Sequence, residues 1–552
     1  MKTYANPIYS CAALPELSDT PHHWPVVVAG AGPVGLCAAI DLAQRGIDVL
    51  VLDEDNTVSV GSRAICWAKR TLEILDRLGC GDRIVGKGVK WNVGRVFFRD
   101  EQIYQFDLLT EPGHRRPAFI NLQQYWVEQF LVERCLGLPQ AEVRWQNKVV
   151  GVTPERDRVA IRVAAPGGEY TVHTDWLIVA DGARSPVRGM LGLESEGLAF
   201  RDRFLIADVL MHSDFPSERW FWFDPPFHRN QSALLHRQAD NVWRIDFQLG
   251  PDADPDEEKK PEKIMPRLRA MLGDKAEFDI EWASVYTFQC RRMRSFRHGR
   301  ALFVGDAAHL VSPFGARGAN SGIQDVDNLI WKLELVMAGQ APESLLDSYD
   351  TERAFAADEN IRHSTRSTDF ITPKSEASRA FRDATLLLAK HHPFARRLIN
   401  SGRLSLPTTL DASPLSTRDA EPFAAAIALG EPAIDAPVEG PRGGWLLSYL
   451  EGGFTLLVFD ASAPADAIEA LANDANPCNV VQVGGGPMPG GSRIEDSAHL
   501  AVARYDGKPG TCCLFRPDQH LCARWRTFDL QSVRKAIARA TGPGYIEARE
   551  AA

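Results

Sequence analysis

The 552-residue sequence has no cysteine pair at the spacing of a zinc site or of a redox CxxC motif. Its ten cysteines are scattered, and the nearest two are the adjacent Cys512 and Cys513. That usage fits a reducing, cytoplasmic compartment and gives no ligand set for a metal. Basic charge is not in surplus: 62 Lys and Arg against 72 Asp and Glu leave a formal net charge of −10. The chain therefore offers no electrostatic footprint for nucleic acid or an anionic membrane surface. Long apolar runs are missing too. The most apolar stretch, Val26 to Ile40, is interrupted by Gly30, Gly32, Pro33 and Gly35, so no transmembrane helix is expected. The N-terminal MKTYANPIYSCAALPELSDTPHHWP lacks the basic segment and apolar core of a signal peptide. Residues 1–24 are expected to form a polar lead-in strand or arm. With 45% hydrophobic and 24% charged residues, the sequence reads as a soluble protein of several domains, with small molecules as its ligands.

WPVVVAGAGPVGLCAAIDLAQRGIDVLVLDED combines a β-branched run, a sharp glycine turn, a helical pattern and a second strand ending at Asp53. Gly30, Gly32 and Gly35 let a backbone approach a pyrophosphate, whose charge sits at the helix N-terminus. Asp53, about 20 residues on, is placed to accept hydrogen bonds from a ribose diol. The motif alone does not separate FAD from NAD, and a glycine-rich turn without a ligand is its plain structural alternative.

Three further features follow in order. GSRAICWAKRTLEILDRLG sets Arg63 just before a helix, where a guanidinium can reach a phosphate bidentately. TDWLIVADGARSPVR is a buried strand ending in Asp181-Gly182, with Arg184 and Arg188 behind it. FVGDAAHLVSPFGARGAN is another, ending in Gly305-Asp306. Alone, Asp181 or Asp306 reads as a helix cap or turn residue. Together with the glycine turn, they put three acids at strand ends facing one crevice.

In these motifs the chain resembles the FAD-dependent aromatic hydroxylases of the para-hydroxybenzoate hydroxylase class, whose marks are GxGxxG, DG and GD. Within that class it is most similar to the hydroxyphenylpropionate and phenol hydroxylases. The resemblance implies an α/β fold: a Rossmann-like FAD-binding domain, an inserted mixed β-sheet substrate domain and a C-terminal thioredoxin-like domain. The expected division is 1–190 and 286–400 for the FAD-binding and helical parts, 191–285 for the substrate sheet, 401–440 for a linker and 441–552 for the tail. It implies that Asp53 binds the adenosine ribose, Arg63 and Gln124 the pyrophosphate region, and Asp306 the ribityl chain. Gln123 could fill the role of Gln124. Asp181 would serve the nucleotide indirectly and help nicotinamide engagement.

The loop at 305–320 is longer than a strand-to-helix connection needs, which suggests that it lies against the flavin ring. Ser321 is a plausible N-cap of the helix that follows. N–H groups around Gly318, Ala319 and Asn320 would then face the pyrimidine edge, where negative charge develops on reduction. Gly315 would let the loop lie flat and Pro313 would stiffen it. His309 and Arg317 are candidates for contacts with ligand, with packing or solvation as their alternatives.

Between the DG and GD motifs lie RWFWFDPPF, ASVYTFQC and a hairpin, SALLHRQADNVWRIDFQL, turning at Ala239-Asp240-Asn241. By resemblance this sheet forms the pocket, with His236, Arg244, Tyr286 and Phe314 lining it and His236, Tyr286 and Pro313 as catalytic candidates. The tail carries Arg516-Pro-Asp518 to Arg524-Trp525, similar to the RPDxxxxxRW signature of phenol hydroxylases. The implied reaction is hydroxylation of a phenolic substrate, expected to be a small hydroxylated aromatic acid. NADH or NADPH and O2 would be consumed, through a flavin hydroperoxide. A homodimer is a possible assembly. The rivals are a halogenase, because Trp220 and Trp222 superficially match WxWxIP, and a flavin-bearing regulatory protein without turnover.

Overall fold

The computed structural model describes residues 4–11, 22–399, 404, 406–461, 463–486 and 491–542. Residues 12–21 of the expected lead-in lie outside them. The chain divides into two units, Met1–Thr110 with Arg116–Val326 and Ala357–Leu406, and Glu111–Arg115 with Asp327–Ala356 and Pro407–Ala552.

The first unit holds two large sheets. One contains the strands Arg297–His298, Ala301–Phe303, Gly168–Val179, His22–Ala29, Val49–Leu52 and Ala141–Arg144 in that spatial order. The pairings from Ala301–Phe303 to Ala141–Arg144 are parallel. Their apolar segments, Val26–Ala29, Val49–Leu52 and Leu177–Val179, are buried, as a parallel sheet covered on both faces requires. Register levels the strand ends: Ala29 lies opposite both Leu52 and Val179, and Val179 opposite Phe303. The residues that follow, Gly30, Asp53, Asp181 and Asp306, therefore emerge along one edge. The lead-in packs here as well, with Tyr4 stacked on Tyr125 at 4.1 Å, while His22–Trp24 already belong to the first strand.

The second sheet has eight strands, in the order His309–Leu310, Asp279–Met293, Ser195–Leu210, Val242–Leu249, Ser232–Arg237, Arg219–Phe223, Val93–Phe98 and Glu101–Asp107. Its last two strands come from upstream of the segment expected to form the substrate domain. The expected hairpin is present, with Asp240 and Asn241 at φ +61° and +58°, a left-handed conformation that these residue types tolerate. One face buries Leu205, Val209, Leu235, Trp243, Ile245 and Phe247. The other carries a second apolar cluster around Phe204, Phe223, Leu234, Phe288 and Phe314.

The second unit is built on a five-stranded sheet, in the order Ser492–Ile494, Cys478–Val483, Phe454–Phe459, Cys512–Phe515 and Leu521–Trp525. The first three strands are parallel and the last two antiparallel to their neighbours. Residues from the stretch read as a linker, among them Ile427, Ala433, Ala436 and Val438, are buried in its core. At its centre is a buried ion cluster. Arg516 donates to Glu352 Oε1 at 2.6 Å and to Asp518 Oδ2 at 2.6 Å, while Lys332 Nζ donates to Glu352 Oε2 at 2.8 Å. Two positive and two negative groups cancel, as burial demands. The two cations hold the Glu352 carboxyl well below its ordinary range.

Candidate functional site

The glycine turn shows two kinds of glycine. Gly30 has φ +106°, and a Cβ there would lie 2.5 Å from the Ala180 carbonyl oxygen. A Cβ on Gly35 would lie 1.9 Å from that of Gly30. Both are required by the packing of the turn itself. A Cβ on Gly32 meets nothing within 4 Å, so the turn is open in front of it. The helix Pro33–Gln44 has no side-chain cap and no acid in its first turn, leaving its N–H groups unpaired by side chains at that opening. Asp53 spans the turn, its Oδ2 accepting from Ala31 N at 2.5 Å and its Oδ1 from Asp55 N at 2.8 Å. Burial raises its carboxyl above the ordinary range despite both hydrogen bonds. An open cradle with helix N–H donors and an adjacent acid fits the pyrophosphate and ribose of a dinucleotide.

Asp181 turns inward: its Oδ2 accepts from Val187 N at 3.0 Å, capping the short helix Pro186–Met190, and burial raises its carboxyl. Asp306 is exposed to solvent but sits in a crevice whose surroundings desolvate it and push its carboxyl upward. A Cβ on Gly318 would lie 4.0 Å from Asp306 Oδ1, so the GD turn and the start of the helix Gly318–Met337 adjoin. That helix begins three residues before the expected cap. Its first intrahelical bond runs from Ser321 N to Arg317 O at 2.7 Å, so the N–H groups of Gly318, Ala319 and Asn320 precede the ladder. Ser321 is buried inside the first turn and accepts from Asn360 Nδ2 at 3.2 Å.

The Asn320 side chain is spent on the loop itself. It accepts from Ala68 N at 2.9 Å and donates to Cys66 O at 2.9 Å and Ala316 O at 2.6 Å. Only its backbone is left to face a ligand. The exposed Arg63 guanidinium makes no hydrogen bond among the described residues and lies within electrostatic reach of Asp306, Glu128 and Tyr286. Of the two glutamines, Gln124 serves this loop, accepting from Ala64 N at 2.9 Å, whereas Gln123 donates to Ala239 O.

His309 is structural. It bonds Asp325 Oδ2 at 2.7 Å, and the same oxygen accepts from Gly305 N at 3.0 Å, so the pair holds the GD turn to the helix. Asp325 escaped the sequence reading, although its place one helical turn from Ser321 faces it toward the strand. Arg317 is buried and donates to Asn360 Oδ1 at 3.0 Å. Pro313 is exposed, and its carbonyl accepts from Gly315 N and Ala316 N in a tight turn. Phe314 is buried edge-on to Phe204 and Phe288, at 4.8 and 5.2 Å between ring centroids.

A row of directly opposed residues crosses the second sheet on one face: Trp282, Asp208, Arg244, His236, Arg219, Gly94 and Phe106. The structure puts Arg244, expected in the pocket, to another use. It donates to the Ser62 carbonyl and, at 3.1 Å, to the Arg63 carbonyl, with Asp208 at 3.5 Å. It thereby fixes the loop that carries Arg63. Asp208 accepts from the Ser62 hydroxyl, and burial pushes its carboxyl up to about 6. Burial, with Arg219 and Arg244 on either side, holds His236 well below its ordinary pKa, so its imidazole is neutral. Tyr286 lies against the aromatic cluster, its hydroxyl without a hydrogen bond among the described residues and its pKa raised by burial. Trp220 and Trp222 pack on the opposite face, away from this row.

Residues 23–364 match a family described as FAD binding domain. The chain belongs to that family. Among curated relatives, 6-methylpretetramide 4-monooxygenase of Streptomyces rimosus is 33% identical over 62% of this chain and 60% of that protein. A 3-(3-hydroxy-phenyl)propionate/3-hydroxycinnamic acid hydroxylase of Klebsiella pneumoniae is 30% identical over 68% and 67%. The chain thus spans three-fifths to two-thirds of the length of these relatives. Among solved structures, the flavin-dependent monooxygenase PieE in complex with FAD and substrate shares the fold over 95% of this chain and 100% of its own, with a TM-score of 0.80 at 22% identity. The p-nitrophenol 4-monooxygenase of Pseudomonas putida is 27% identical, covering 70% of this chain and 99% of its own with a TM-score of 0.62.

Proposed function

We propose that the protein is a cytoplasmic FAD-dependent monooxygenase that hydroxylates a phenolic substrate, using NADH or NADPH and O2. The observation that carries this reading is the meeting, along one sheet edge, of the open glycine turn, Asp53, Asp306 and the unladdered N–H groups of Gly318, Ala319 and Asn320. Bound FAD supplies the redox chemistry and the activation of oxygen. The protein's own part is to hold and shield. Asp53 accepts from the ribose, Arg63 pairs with phosphate, Asp306 accepts from the ribityl chain, and the 318–320 N–H groups stabilise negative charge at the ring edge. Gln124 keeps the Arg63 loop in place, and Asp181 acts through the turn it caps. The aromatic cluster excludes water, while Tyr286 and the neutral His236 are the groups that can hydrogen-bond a phenol.

A cavity of about 410 Å³ beside the DG motif, lined by Arg184, Arg188 and Arg291, supports engagement of the anionic nicotinamide dinucleotide. None of the ten cysteines is in a disulfide, which supports a reducing location. The division of labour belongs to the same reading: flavin-binding segments at 1–190 and 286–400, a substrate sheet centred on 191–285, and a thioredoxin-like tail without dithiol chemistry. The strand order and directions of the second unit support that assignment of the tail. The test is a screen of phenolic compounds for stimulated NAD(P)H oxidation with matched oxygen uptake and a product heavier by one oxygen atom. Protein that retains FAD yet hydroxylates no member of the screen would contradict the reading.

A further inference from the structure

We propose that the N-terminal arm, residues 4–11, is a strap that sets how tightly FAD is held, with Tyr4, Asn6 and Tyr9 as positioning residues for the loop that carries Asp53 and Arg63. This rests on the reading of those two residues as ligands of the adenosine diphosphate half of FAD.

The loop needs support from outside itself. Residues 53–65 belong to no helix or strand, so their backbone groups have no ladder to pair with. A connection of 13 residues is long for a compact domain, and loops of that length are either functional or disordered. Asp53 begins this one and Arg63 stands near its end, so any sag between them alters the spacing at which they meet a ribose and a phosphate. Ordering a slack loop would be subtracted from the affinity for the cofactor, whereas a loop already held in its bound shape keeps that affinity whole.

The arm holds the loop at its middle. Tyr9 N donates to Asn56 O at 2.8 Å, and Asn6 Nδ2 donates to Val58 O at 3.1 Å and to Ser59 O at 3.2 Å. Val58 is buried in one cluster with Tyr4 and Tyr125. The arm is anchored in turn on both sides of the loop. The Tyr4 ring stacks on Tyr125 at 4.1 Å and meets Trp126 edge-on at 4.7 Å, and its hydroxyl donates to Gln129 Oε1 at 2.8 Å. These three partners belong to the helix Gln124–Leu136, whose Gln124 and Glu128 accept from Ala64 N at 2.9 Å and Ser59 N at 2.5 Å. On the other side, the Tyr9 ring stacks on Trp145 at 4.6 Å, and the next two residues, Gln146 and Asn147, donate their backbone N–H groups to Asp55 O and Asp53 O. The arm thus bridges the helix that holds the Arg63 end of the loop and the segment that holds its Asp53 end.

The test uses full-length protein freed of flavin and titrated calorimetrically with FAD and, separately, with ADP, which carries only the half of the cofactor that this loop holds. Tyr4→Ala combined with Asn6→Ala should weaken both ligands at least about tenfold and by the same factor, and FAD should leave the diluted holoprotein correspondingly faster. Tyr4→Phe in place of Tyr4→Ala keeps the stack on Tyr125 and should recover most of the part lost at that residue. Asn6→Asp has the size of asparagine but sets a carboxylate, which only accepts, against two carbonyl oxygens, and should lose more affinity than Asn6→Ala. If the double variant does not fold, Asn6→Ala alone, at a half-buried residue, carries the same comparison. Undiminished affinity for FAD and ADP in the folded variants would overturn the strap, even with a lowered unfolding temperature, because the arm would then serve the fold alone. A loss confined to FAD would overturn it as well. A wild type that binds FAD but not ADP would overturn the assignment of the loop to the adenosine half, and the strap with it.

Discussion

Gly32→Ala and Gly35→Ala separate what the glycine turn does for the fold from what it does for a ligand. At Gly32 the backbone is extended, with φ −71° and ψ 179°, and a Cβ meets nothing within 4 Å. Alanine there loses a few tenths of a kcal/mol as a poorer N-cap and gains about 0.4–1 kcal/mol from a less floppy unfolded chain, so apoprotein stability should move by less than about 1 kcal/mol. The methyl group nevertheless enters the opening that a pyrophosphate must approach, and FAD affinity should fall at least about tenfold, or 1.4 kcal/mol. At Gly35 the methyl would lie 1.9 Å from the Gly30 carbonyl oxygen, a backbone overlap that cannot be relieved by a rotamer change. That variant should lose about 1–3 kcal/mol or more of apoprotein stability as well as flavin. Thermal unfolding of flavin-free protein, paired with FAD titration followed by quenching of flavin fluorescence, reads both quantities. Unchanged FAD affinity in Gly32→Ala would refute the cradle, since that variant has no other route to an effect.

Asp306→Ala should weaken FAD retention through gel filtration by removing a charge-assisted hydrogen bond of about 1.5–3 kcal/mol, and full flavin content would contradict its placement. Burial pushes the folded Asp208 carboxyl up to about 6, against an ordinary 3.8, so between these pH values the folded state binds more protons and stability falls as pH rises. Asp208→Asn should flatten that fall, worth about 3 kcal/mol at most, in urea unfolding compared at pH 4 and pH 7; an unaltered difference would show the carboxyl to be less desolvated than its burial implies. Cys512 and Cys513 point into different clusters of the tail sheet, and burial pushes both thiols up to about 12. Replacing both by serine should leave hydroxylation intact but lower stability by about 1–3 kcal/mol per buried hydroxyl, and lost turnover with normal flavin content would implicate the tail in chemistry.

The dinucleotide half was legible because its signals are local. A β-branched run, a glycine turn and an acid at fixed spacing sit within one βαβ unit, and the three strand ends follow from one rule about open sheets. The hairpin was legible for the same reason, its turn residues lying beside its strands. The substrate face was not. Arg219 sits in the run RWFWF, where nothing marks one residue, and only pairing brings the strands at 93–98 and 232–237 alongside it. Arg244 looked like a ligand residue because it is a cation near a pocket, but long-range geometry aims it at the carbonyls of residues 62 and 63. Ser321 has the right type for a cap, yet the helix starts earlier because Gly318 and the Asn320 side chain close the loop before it.

The ion cluster of the second unit bears on how the chain is made. Lys332 and Glu352 leave the ribosome more than 150 residues before Arg516 and Asp518, the second ion pair that joins theirs. Until those arrive, Glu352 has one of its two cationic partners and lacks the guanidinium that reaches both its oxygens, so this cluster is completed last. A chain that ends before Arg516 lacks the strands Cys512–Phe515 and Leu521–Trp525 in whole or in part, along with the guanidinium that holds Glu352. The same four residues that neutralise one another in the finished molecule thus tie two distant stretches of sequence into one late step of folding.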